Sequence, residues 1–460
     1  MNPYPRFLLT APFSGAGKTT VTCGILQALR RRGLETAAFK CGPDYVDPLF
    51  HAKAMGIACR NLDPFFCEGS RLSFLLQKNA RGKDISVLEG VMGYYDGIGG
   101  DSLQASTFEV ARRTQTPGVL VVPCQGISFS AVALVEGFLR HQSPSFLQGV
   151  ILNQVSPMLY PRLQAAIERE LSLPVFGYLP SLPEVDFPSR DLGLIPPQEL
   201  PHIQSKLERL AKQAEQTLDL DGLISLAKTA PPLADIPSPI PPAAPDRPTI
   251  AVARDAAFCF HYADNLSLLQ DLGADPVYFS PLEDTSLPEP CDGIWLGGGY
   301  PERFAAQLSE NTAMCSSIRS AWQRGIPFVA EGGGFLYLHR DIRDRDGNTY
   351  PLAGVFPGTA YPAGKLQDFG YWTLTARQDG LLCRKGESIR CHEFHTWASD
   401  VPGEAFLAQK PHRSRHRLCA HVSPSGYAGF PHLYLYANPS FAARFVQACR
   451  EICQQRSCPL

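Results

Sequence analysis

The chain has 460 residues, too many for one ordinary hydrophobic core, so we expect two or three domains. Its composition is 44% hydrophobic and 19% charged, as in globular proteins, and a net charge of −2 argues against a general nucleic-acid or membrane-surface binder. No apolar run approaches the roughly 18 residues of a membrane helix, so we expect a cytoplasmic protein without a signal peptide, with reduced cysteines.

A glycine-rich loop lies between a predicted strand and a predicted helix. This loop, 11–20, follows the apolar run Phe7–Leu9 and precedes a helical pattern over 21–29. Small residues allow backbone N–H groups to surround phosphate oxygens, and the helix N-terminus adds partial positive charge. The loop departs from the pattern G-x-x-x-x-G-K-[ST] because Pro12 replaces its first glycine. We interpret it as a nucleotide-binding loop rather than an ordinary turn.

The residues of this loop have predicted roles in holding ATP. In loops of this type the lysine, here Lys18, reaches the outer phosphates, and the hydroxyl of the next residue, here Thr19, can bind Mg²⁺. The predicted nucleotide contacts are Ser14, Gly15, Ala16, Gly17, Lys18, Thr19 and Thr20.

Four carboxylates follow predicted strands of the same sheet. Asp44 and Asp47 come after the second predicted strand, and Glu89 and Asp96 come after a later one. Each alone would more simply be a solvated loop carboxylate or a helix cap. Because loops after parallel strands meet at one edge of a doubly wound sheet, we expect all four near the phosphate loop. Mg²⁺ usually takes only one or two protein carboxylates, which leaves others to position a second substrate.

The order of predicted elements indicates two α/β domains. Short apolar strands alternate with helical segments in the first half, which predicts an α/β fold with a doubly wound parallel sheet. A packing helix near Leu207–Leu226 precedes a stretch in which proline occupies eight of the eighteen positions, and this stretch predicts an extended linker. A second α/β pattern follows. The predicted divisions are a synthetase domain 1–230, a linker 231–248 and a second domain 249–460.

Several longer motifs occur in order along the chain. They are Gly42-Pro43-Asp44-Tyr45-Val46-Asp47-Pro48, Glu89-Gly90-Val91-Met92-Gly93, Tyr95-Asp96-Gly97, Leu296-Gly297-Gly298-Gly299-Tyr300-Pro301-Glu302 and His392-Glu393-Phe394-His395. Together they resemble the signature of the cobyrinate a,c-diamide synthase family, over about residues 6 to 446. The resemblance implies an N-terminal P-loop domain that binds ATP, Mg²⁺ and a corrinoid. It also implies a C-terminal domain of the class I glutamine amidotransferase type.

The activity that this resemblance implies is ATP-dependent amidation in cobalamin biosynthesis. The a- and c-acetate carboxylates of cobyrinate or hydrogenobyrinate would become acyl phosphates, which ammonia or glutamine-derived nitrogen would displace. By analogy, the Mg²⁺ ligands would be Thr19, Asp44 and Glu89. Asp47 and Asp96 would orient the carboxylate or the incoming ammonia, and Asn153 would lie near the adenine.

The second half departs from the resembled family at the nucleophile. In that family a cysteine in the order Glu-Cys-Gly-Gly, on a strand-to-helix turn, attacks glutamine and a histidine activates it. This chain has Glu331-Gly332-Gly333-Gly334, so the nucleophile position is Gly332, which has no side chain. His432 remains as the expected base, and the backbone of 297–299 would suit an oxyanion hole. We therefore predict an impaired glutaminase step, with free ammonia as the effective donor.

Other functions stay open at this point. The same chemistry could act on another macrocycle, as in nickel-sirohydrochlorin a,c-diamide synthase or cobyric acid synthase. A P-loop ATPase switch of the partition type would leave the second half unexplained, whereas Gly332 keeps open a silent paralogue that only binds a corrinoid. The family often has histidine where this chain has Asp191, so no role is assigned to that side chain. A homodimer is compatible with the sequence, and no nucleic-acid or membrane partner is expected.

Overall fold

The computed structural model describes residues 3–185, 189–190, 193–194 and 202–457. Asp191 lies outside these residues. The chain divides into two compact units, Met1–Pro237 and Ser238–Leu460, and the division falls within the proline-rich stretch. The domain boundaries at 230 and 248 stay a prediction.

The first unit is built on a seven-stranded sheet in which all neighbouring strands are parallel. Its strands are β1 (Arg6–Thr10), β2 (Thr36–Cys41), β3 (Cys59–Leu62), β4 (Ile85–Glu89), β5 (Gly118–Pro123), β6 (Leu147–Asn153) and β7 (Val175–Leu179). Their order across the sheet is β3-β2-β4-β1-β5-β6-β7. Nearly all of their residues are buried, which is typical of a parallel sheet between helical layers. The predicted doubly wound parallel sheet is therefore confirmed.

Eight helices of the described residues accompany this sheet. They are α1 (Lys18–Arg31), α2 (Val46–Met55), α3 (Arg71–Ala80), α4 (Thr107–Thr114), α5 (Ser130–Arg140), α6 (Tyr160–Leu171), α7 (Ile203–Thr217) and α8 (Leu220–Lys228). Buried leucines of α7 share one core with α1. The prediction of a single helix over Leu207–Leu226 is wrong, because Asp219 interrupts it and caps α8 by accepting the N–H of Gly222 at 2.8 Å. A short antiparallel pair, β8 (Ser189–Arg190) and β9 (Gly193–Leu194), lies between α6 and α7 in the chain.

The second unit contains a six-stranded sheet that is parallel except at one edge. Its strands are β10 (Thr249–Ala253), β11 (Asp275–Phe279), β12 (Gly293–Leu296), β13 (Phe328–Glu331), β20 (His421–Ser423) and β21 (Gly426–Gly429). The order is β11-β10-β12-β13-β21-β20, with β20 antiparallel to β21. Its helices are α9 (Ala263–Asp271), α10 (Ala305–Glu310), α11 (Thr312–Gln323), α12 (Gly333–Tyr337) and α13 (Pro439–Ser457). The predicted second α/β pattern is confirmed.

A second, mainly antiparallel sheet in this unit carries the expected base. It contains β14 (His339–Arg343), β15 (Thr349–Pro351), β16 (Phe356–Ala376), β17 (Ser388–Ser399), β18 (Phe406–Gln409), β19 (His416–Cys419) and β22 (His432–Leu433). The short strand β22 pairs with β17, so that His432 lies opposite His392. Within the described part of the chain, no helix combines the length and apolar character needed to cross a membrane.

Candidate active sites

The phosphate loop connects β1 to α1 and turns at two glycines. Gly15 and Gly17 have φ angles of 83° and 90°, which favour glycine because a Cβ would be strained there. The ammonium of Lys18 donates to the carbonyl of Met92 at 2.6 Å and to that of Phe13 at 3.3 Å. Burial, and next the positive charge of Lys40, lower the pKa of Lys18 to about 8. An anion beside this ammonium would be stabilised by charge and by the helix N-terminus.

A buried charged cluster, made of Lys40, Asp47, His51 and Glu89, lies next to the loop. The ammonium of Lys40 bridges the carboxylates of Asp47 and Glu89, and its nitrogen is 2.8 Å from Oε1 of Glu89. The hydroxyl of Thr19 donates to the same Oε1 at 2.7 Å, and Nε2 of His51 lies 3.2 Å from Oε2. Side-chain exposure within the cluster does not exceed 8%. Glu89 therefore joins the phosphate loop to this cluster.

Two members of the charged cluster, Lys40 and Glu89, are held in their ionised forms. Burial works against the charge of Lys40, but the neighbouring carboxylates, Asp47 first, raise its pKa well above the ordinary value. Burial also opposes ionisation of Glu89, yet Lys40 and then His51 lower the pKa of Glu89 far below its usual range. Glu89 is consequently an anion that faces the loop, which is the form a cation would need.

Two of the predicted site carboxylates also have local structural roles. Oδ1 of Asp44 accepts the backbone N–H of Val46 at 2.7 Å, at the start of α2. Burial, and next the neighbouring Asp47, raise the pKa of Asp44 to about 7. Oδ2 of Asp96 accepts the N–H of Gly93 at 2.8 Å and tightens the loop after β4. The structure thus joins Thr19 to Glu89, whereas Asp44 accepts a backbone N–H at the start of α2.

Asn153 ends β6 at the border of a cavity of about 400 Å³. Its amide nitrogen donates to the carbonyl of Ala16 at 3.0 Å, which ties the strand to the phosphate loop. Gly17, Gln154 and residues of the segment after β7 line the same cavity. A cavity that touches the phosphate loop is where the base of a bound nucleotide would be expected, and the role of Asn153 stays a prediction.

In the second unit, Gly332 forms the sharp turn between β13 and α12. Its φ and ψ angles are 51° and −109°, and its N–H donates to the carbonyl of Gly429 at 2.9 Å. A Cβ built at Gly332 would lie 2.5 Å from Nε2 of His432. The position therefore faces the expected base, but a side chain there would require the imidazole to move.

His432 and Glu331 are both buried and both uncharged near neutral pH. Burial, followed by His395 and His261, lowers the pKa of His432 to about 3. Burial raises the pKa of Glu331 to about 8. Oε1 of Glu331 accepts the N–H of Leu433 at 2.8 Å, and Oε2 lies 3.9 Å from Nδ1 of His432. Because neither group is charged, this contact is not a strong ion pair; the neutral imidazole is the form that can accept a proton.

The motif His392–His395 lies on β17. This strand pairs with β22, the short strand that contains His432. Nε2 of His395 lies 2.7 Å from Oε1 of Glu393, and Glu393 also pairs with Arg417. The ring of His395 stacks on Phe430 with 4.0 Å between centroids. These contacts explain the motif as packing around the base.

Sequence reasoning missed two members of the charged cluster, Lys40 and His51. Lys40 lies two residues before a recognised motif, and a lysine near the end of a mostly apolar predicted strand was the available signal. His51 belongs to α2, and only the tertiary fold brings it to Glu89.

Comparisons with known proteins agree with this geometry. Residues 7–195 match the CobQ/CobB/MinD/ParA nucleotide binding domain, and residues 249–421 match the CobB/CobQ-like glutamine amidotransferase domain. The chain is 40% identical over 441 residues to cobyrinate a,c-diamide synthase of Listeria innocua, covering 95% of this chain and 97% of that protein. It is 39% identical over 458 residues to the Salmonella typhimurium enzyme of that name, covering 97% and 98%. The chain belongs to the cobyrinate a,c-diamide synthase family.

Membership of the cobyrinate a,c-diamide synthase family confirms the resemblance and the fold class inferred from the motifs. The phosphate loop and the charged cluster lie in the part that matches the nucleotide-binding domain, and Gly332 lies in the part that matches the amidotransferase domain. The roles of the individual site residues stay predictions.

Proposed function

We propose that this protein is an ATP-dependent amidoligase that converts the a- and c-acetate carboxylates of cobyrinate to amides in cobalamin biosynthesis. The observation that carries the proposal is the nearly full-length similarity to relatives named cobyrinate a,c-diamide synthase. A phosphate loop whose buried lysine donates to two loop carbonyls, and whose threonine donates to the Glu89 anion, supports the ATP-dependent half. Amidoligases of this family are carbon–nitrogen ligases.

The proposed chemistry follows from the poor leaving ability of a carboxylate oxygen. One carboxylate oxygen of the substrate attacks the γ-phosphorus of ATP, the bond to the β-phosphate oxygen breaks, and ADP leaves. Ammonia then attacks the carbonyl carbon of the acyl phosphate, inorganic phosphate leaves, and the nitrogen gives up a proton. Lys18 would stabilise negative charge during the first transfer, and Asp47 and Asp96 would orient the carboxylate or the ammonia.

Mg²⁺ is part of this proposal, and the oxygen donors of the site fit it. Thr19 and Glu89 offer a hydroxyl and a carboxylate with 2.7 Å between their oxygens, and Mg²⁺ prefers such hard ligands. When bound, Mg²⁺ would neutralise phosphate charge. Asp44 would be the third oxygen donor. Among the described residues, no cluster of three or more His, Cys, Asp and Glu side chains is arranged for a metal ion.

The proposed nitrogen donor is free ammonia rather than glutamine. Gly332 has no nucleophilic atom, although it faces His432 across the turn. Cys391, which directly precedes the motif His392–His395 in the second half, is fully buried, and burial raises its pKa well above the ordinary value. A buried, protonated thiol is a poor nucleophile.

Two further parts of the proposal concern the setting of the enzyme. The cysteines that the structure describes are free thiols, which suits the proposed cytoplasmic location. A homodimer is compatible with the proposed activity, and sedimentation of the purified protein would test it.

The experiment that tests the function is amidation of cobyrinate with ATP and Mg²⁺, followed by mass spectrometry. One reaction contains glutamine and the other ammonium chloride. The expected result is amidated product in the reaction with ammonium chloride and none in the reaction with glutamine. Product with glutamine in the absence of ammonia would contradict the impaired glutaminase, and ATP hydrolysis without any amidation would favour an ATPase switch. Binding of cobyrinate without turnover in either reaction would point to a silent paralogue.

A further inference from the structure

Four large apolar side chains are exposed among the described residues of the first unit. They are Phe13, Met92, Phe129 and Met158, with exposed fractions of 51%, 43%, 60% and 79%. Each follows the carboxyl end of a strand, and the four strands β4, β1, β5 and β6 are neighbours in the sheet. Single exposed apolar residues are common on protein surfaces, but a group along one edge indicates a binding surface.

Two of these residues contact the lysine of the phosphate loop through their backbone carbonyls. Phe13 is part of the loop, and Met92 lies on the loop after β4. The ammonium of Lys18 bonds the carbonyl oxygens of both residues, which holds the two loops together. Met92 has a φ of 49°, in the left-handed region that residues other than glycine seldom adopt. The loop before it is fixed, since Thr107 exchanges hydrogen bonds with the backbone of Val91 at 2.9 and 3.0 Å.

Phe129 extends the exposed surface to the other side of the phosphate loop. It immediately precedes α5, on the loop after β5, and β5 is the neighbour of β1. Adjacent strands are about 4.8 Å apart, so loops from three neighbouring strands spread their side chains over roughly 10 Å. The strand order therefore places the loop of Phe13 between the loops of Met92 and Phe129.

We propose that Phe13, Met92 and Phe129 form a platform on which one face of the tetrapyrrole ring lies. The inference rests on the proposed function, because a carboxylate of the ring has to reach the phosphoryl group held by the loop. The ring must then lie over this edge of the sheet. Its periphery carries charged carboxylates, but its faces are largely apolar, and covering exposed aromatic and methionine side chains with such a face is favourable.

Met158 offers a matched control on the same edge. It follows β6, the strand whose last residue, Asn153, lines the cavity in which the base is expected. Met158 thus follows a strand outside the three that carry the platform. Its side chain is the most exposed of the four, so that its truncation removes apolar surface without disturbing the core.

The test measures binding of cobyrinate without ATP, by quenching of protein fluorescence, in the full-length protein. Phe129→Ala and Met92→Ala are each expected to weaken binding by roughly tenfold, the size typical of a central interface side chain. Met158→Ala should stay within about twofold of the wild type. Affinity for a fluorescent ATP analogue should be unchanged in Phe129→Ala, which excludes damage to the phosphate loop. In turnover, Phe129→Ala should raise KM for cobyrinate and leave kcat almost unchanged.

Other results would overturn the platform. If Phe129→Ala and Met92→Ala both bind cobyrinate with unchanged affinity, the platform is overturned, even if amidation is observed. Equal weakening by Met158→Ala would show a diffuse apolar effect rather than a platform. A change in oligomeric state of Phe129→Ala, measured by sedimentation without ligand, would assign the surface to a second copy of the chain. Conversely, specific loss of cobyrinate binding in a protein that never amidates it would support the platform and reject the proposed reaction.

Discussion

Lys40 is a buried cation that balances two buried carboxylates. In Lys40→Met, Asp47 and Glu89 would lose the ammonium that bridges them. Uncompensated buried charges are costly, so we expect the free energy of unfolding at pH 7 to fall by about 3–5 kcal/mol. Urea unfolding followed by circular dichroism measures this change.

An exposed lysine gives the matched control for this variant. Lys83 pairs with Glu35 at 2.9 Å, with 34% and 72% of the two side chains exposed. Surface pairs contribute little, so Lys83→Met should change stability by less than about 1 kcal/mol. Equal stability of the Lys40→Met and Lys83→Met proteins would mean that the charged cluster does not stabilise the fold.

Lys18 should make the affinity for ATP depend on pH above neutrality. Its pKa is about 8 in the free protein, because burial and then Lys40 disfavour the charged form. Bound phosphates favour the ammonium form of Lys18 and raise this pKa. At pH values where part of Lys18 is unprotonated, binding of ATP is therefore coupled to the uptake of a proton by Lys18. The affinity is therefore full below pH 8 and should fall above it, by up to about tenfold per pH unit.

Titration calorimetry between pH 7 and 9.5 tests this dependence at constant ionic strength. Lys18→Arg is the control, since a guanidinium stays charged throughout this range and its profile should be flat. A wild-type affinity that is equally flat would mean that Lys18 is already stabilised by other groups in the free protein.

At the scale of single elements, the turn between β13 and α12 keeps the shape of a nucleophile turn without the nucleophile. A side chain at Gly332 would adopt a positive φ, which costs about 1–3 kcal/mol, and its Cβ would face Nε2 of His432. Because the neutral imidazole can accept a thiol proton, we expect Gly332→Cys to form glutamate from glutamine at a rate above that of the wild type. A coupled glutamate assay measures the gain.

Two variants identify the chemistry of that gain. Gly332→Ala adds the same Cβ without a thiol and should remain inactive. His432→Ala, combined with Gly332→Cys, should abolish the restored hydrolysis. If Gly332→Cys forms no glutamate while it remains folded, the site lacks more than its nucleophile.

The sequence predicts regular elements better than irregular ones. The strands of the parallel sheet are short apolar runs, so their burial shows directly in the pattern. The strands β16 and β17 were not predicted, because register shifts between Pro362 and Gly370 interrupt the alternation that identifies a strand. Motifs likewise pointed to Glu89 and Asp47. They could not indicate His51, whose contact with Glu89 depends on how α2 packs.

At the scale of the whole molecule, the two units differ in the reactive groups that they contain. The first has a phosphate loop joined to a charged cluster, and the second has a histidine, His432, that faces a glycine. An enzyme of this kind should depend on dissolved ammonia, and only the unprotonated form is a nucleophile. The unprotonated fraction of ammonium increases with pH, whereas protonated Lys18 decreases above about pH 8.

These opposing trends predict two different pH profiles of cobyrinate amidation with ammonium. At saturating ATP the rate should continue to rise above pH 8, because more ammonia is unprotonated and the nucleotide site remains filled. At ATP concentrations well below its KM the rate should pass through a broad maximum between the pKa of Lys18, about 8, and the higher pKa of ammonium, since weaker binding of ATP then offsets the gain in ammonia. Initial rates at a fixed concentration of unprotonated ammonia separate the two causes, and under that condition only the decline at low ATP should remain. A maximum at the same pH under both ATP conditions would place the titrating group in the amidation step instead of at Lys18.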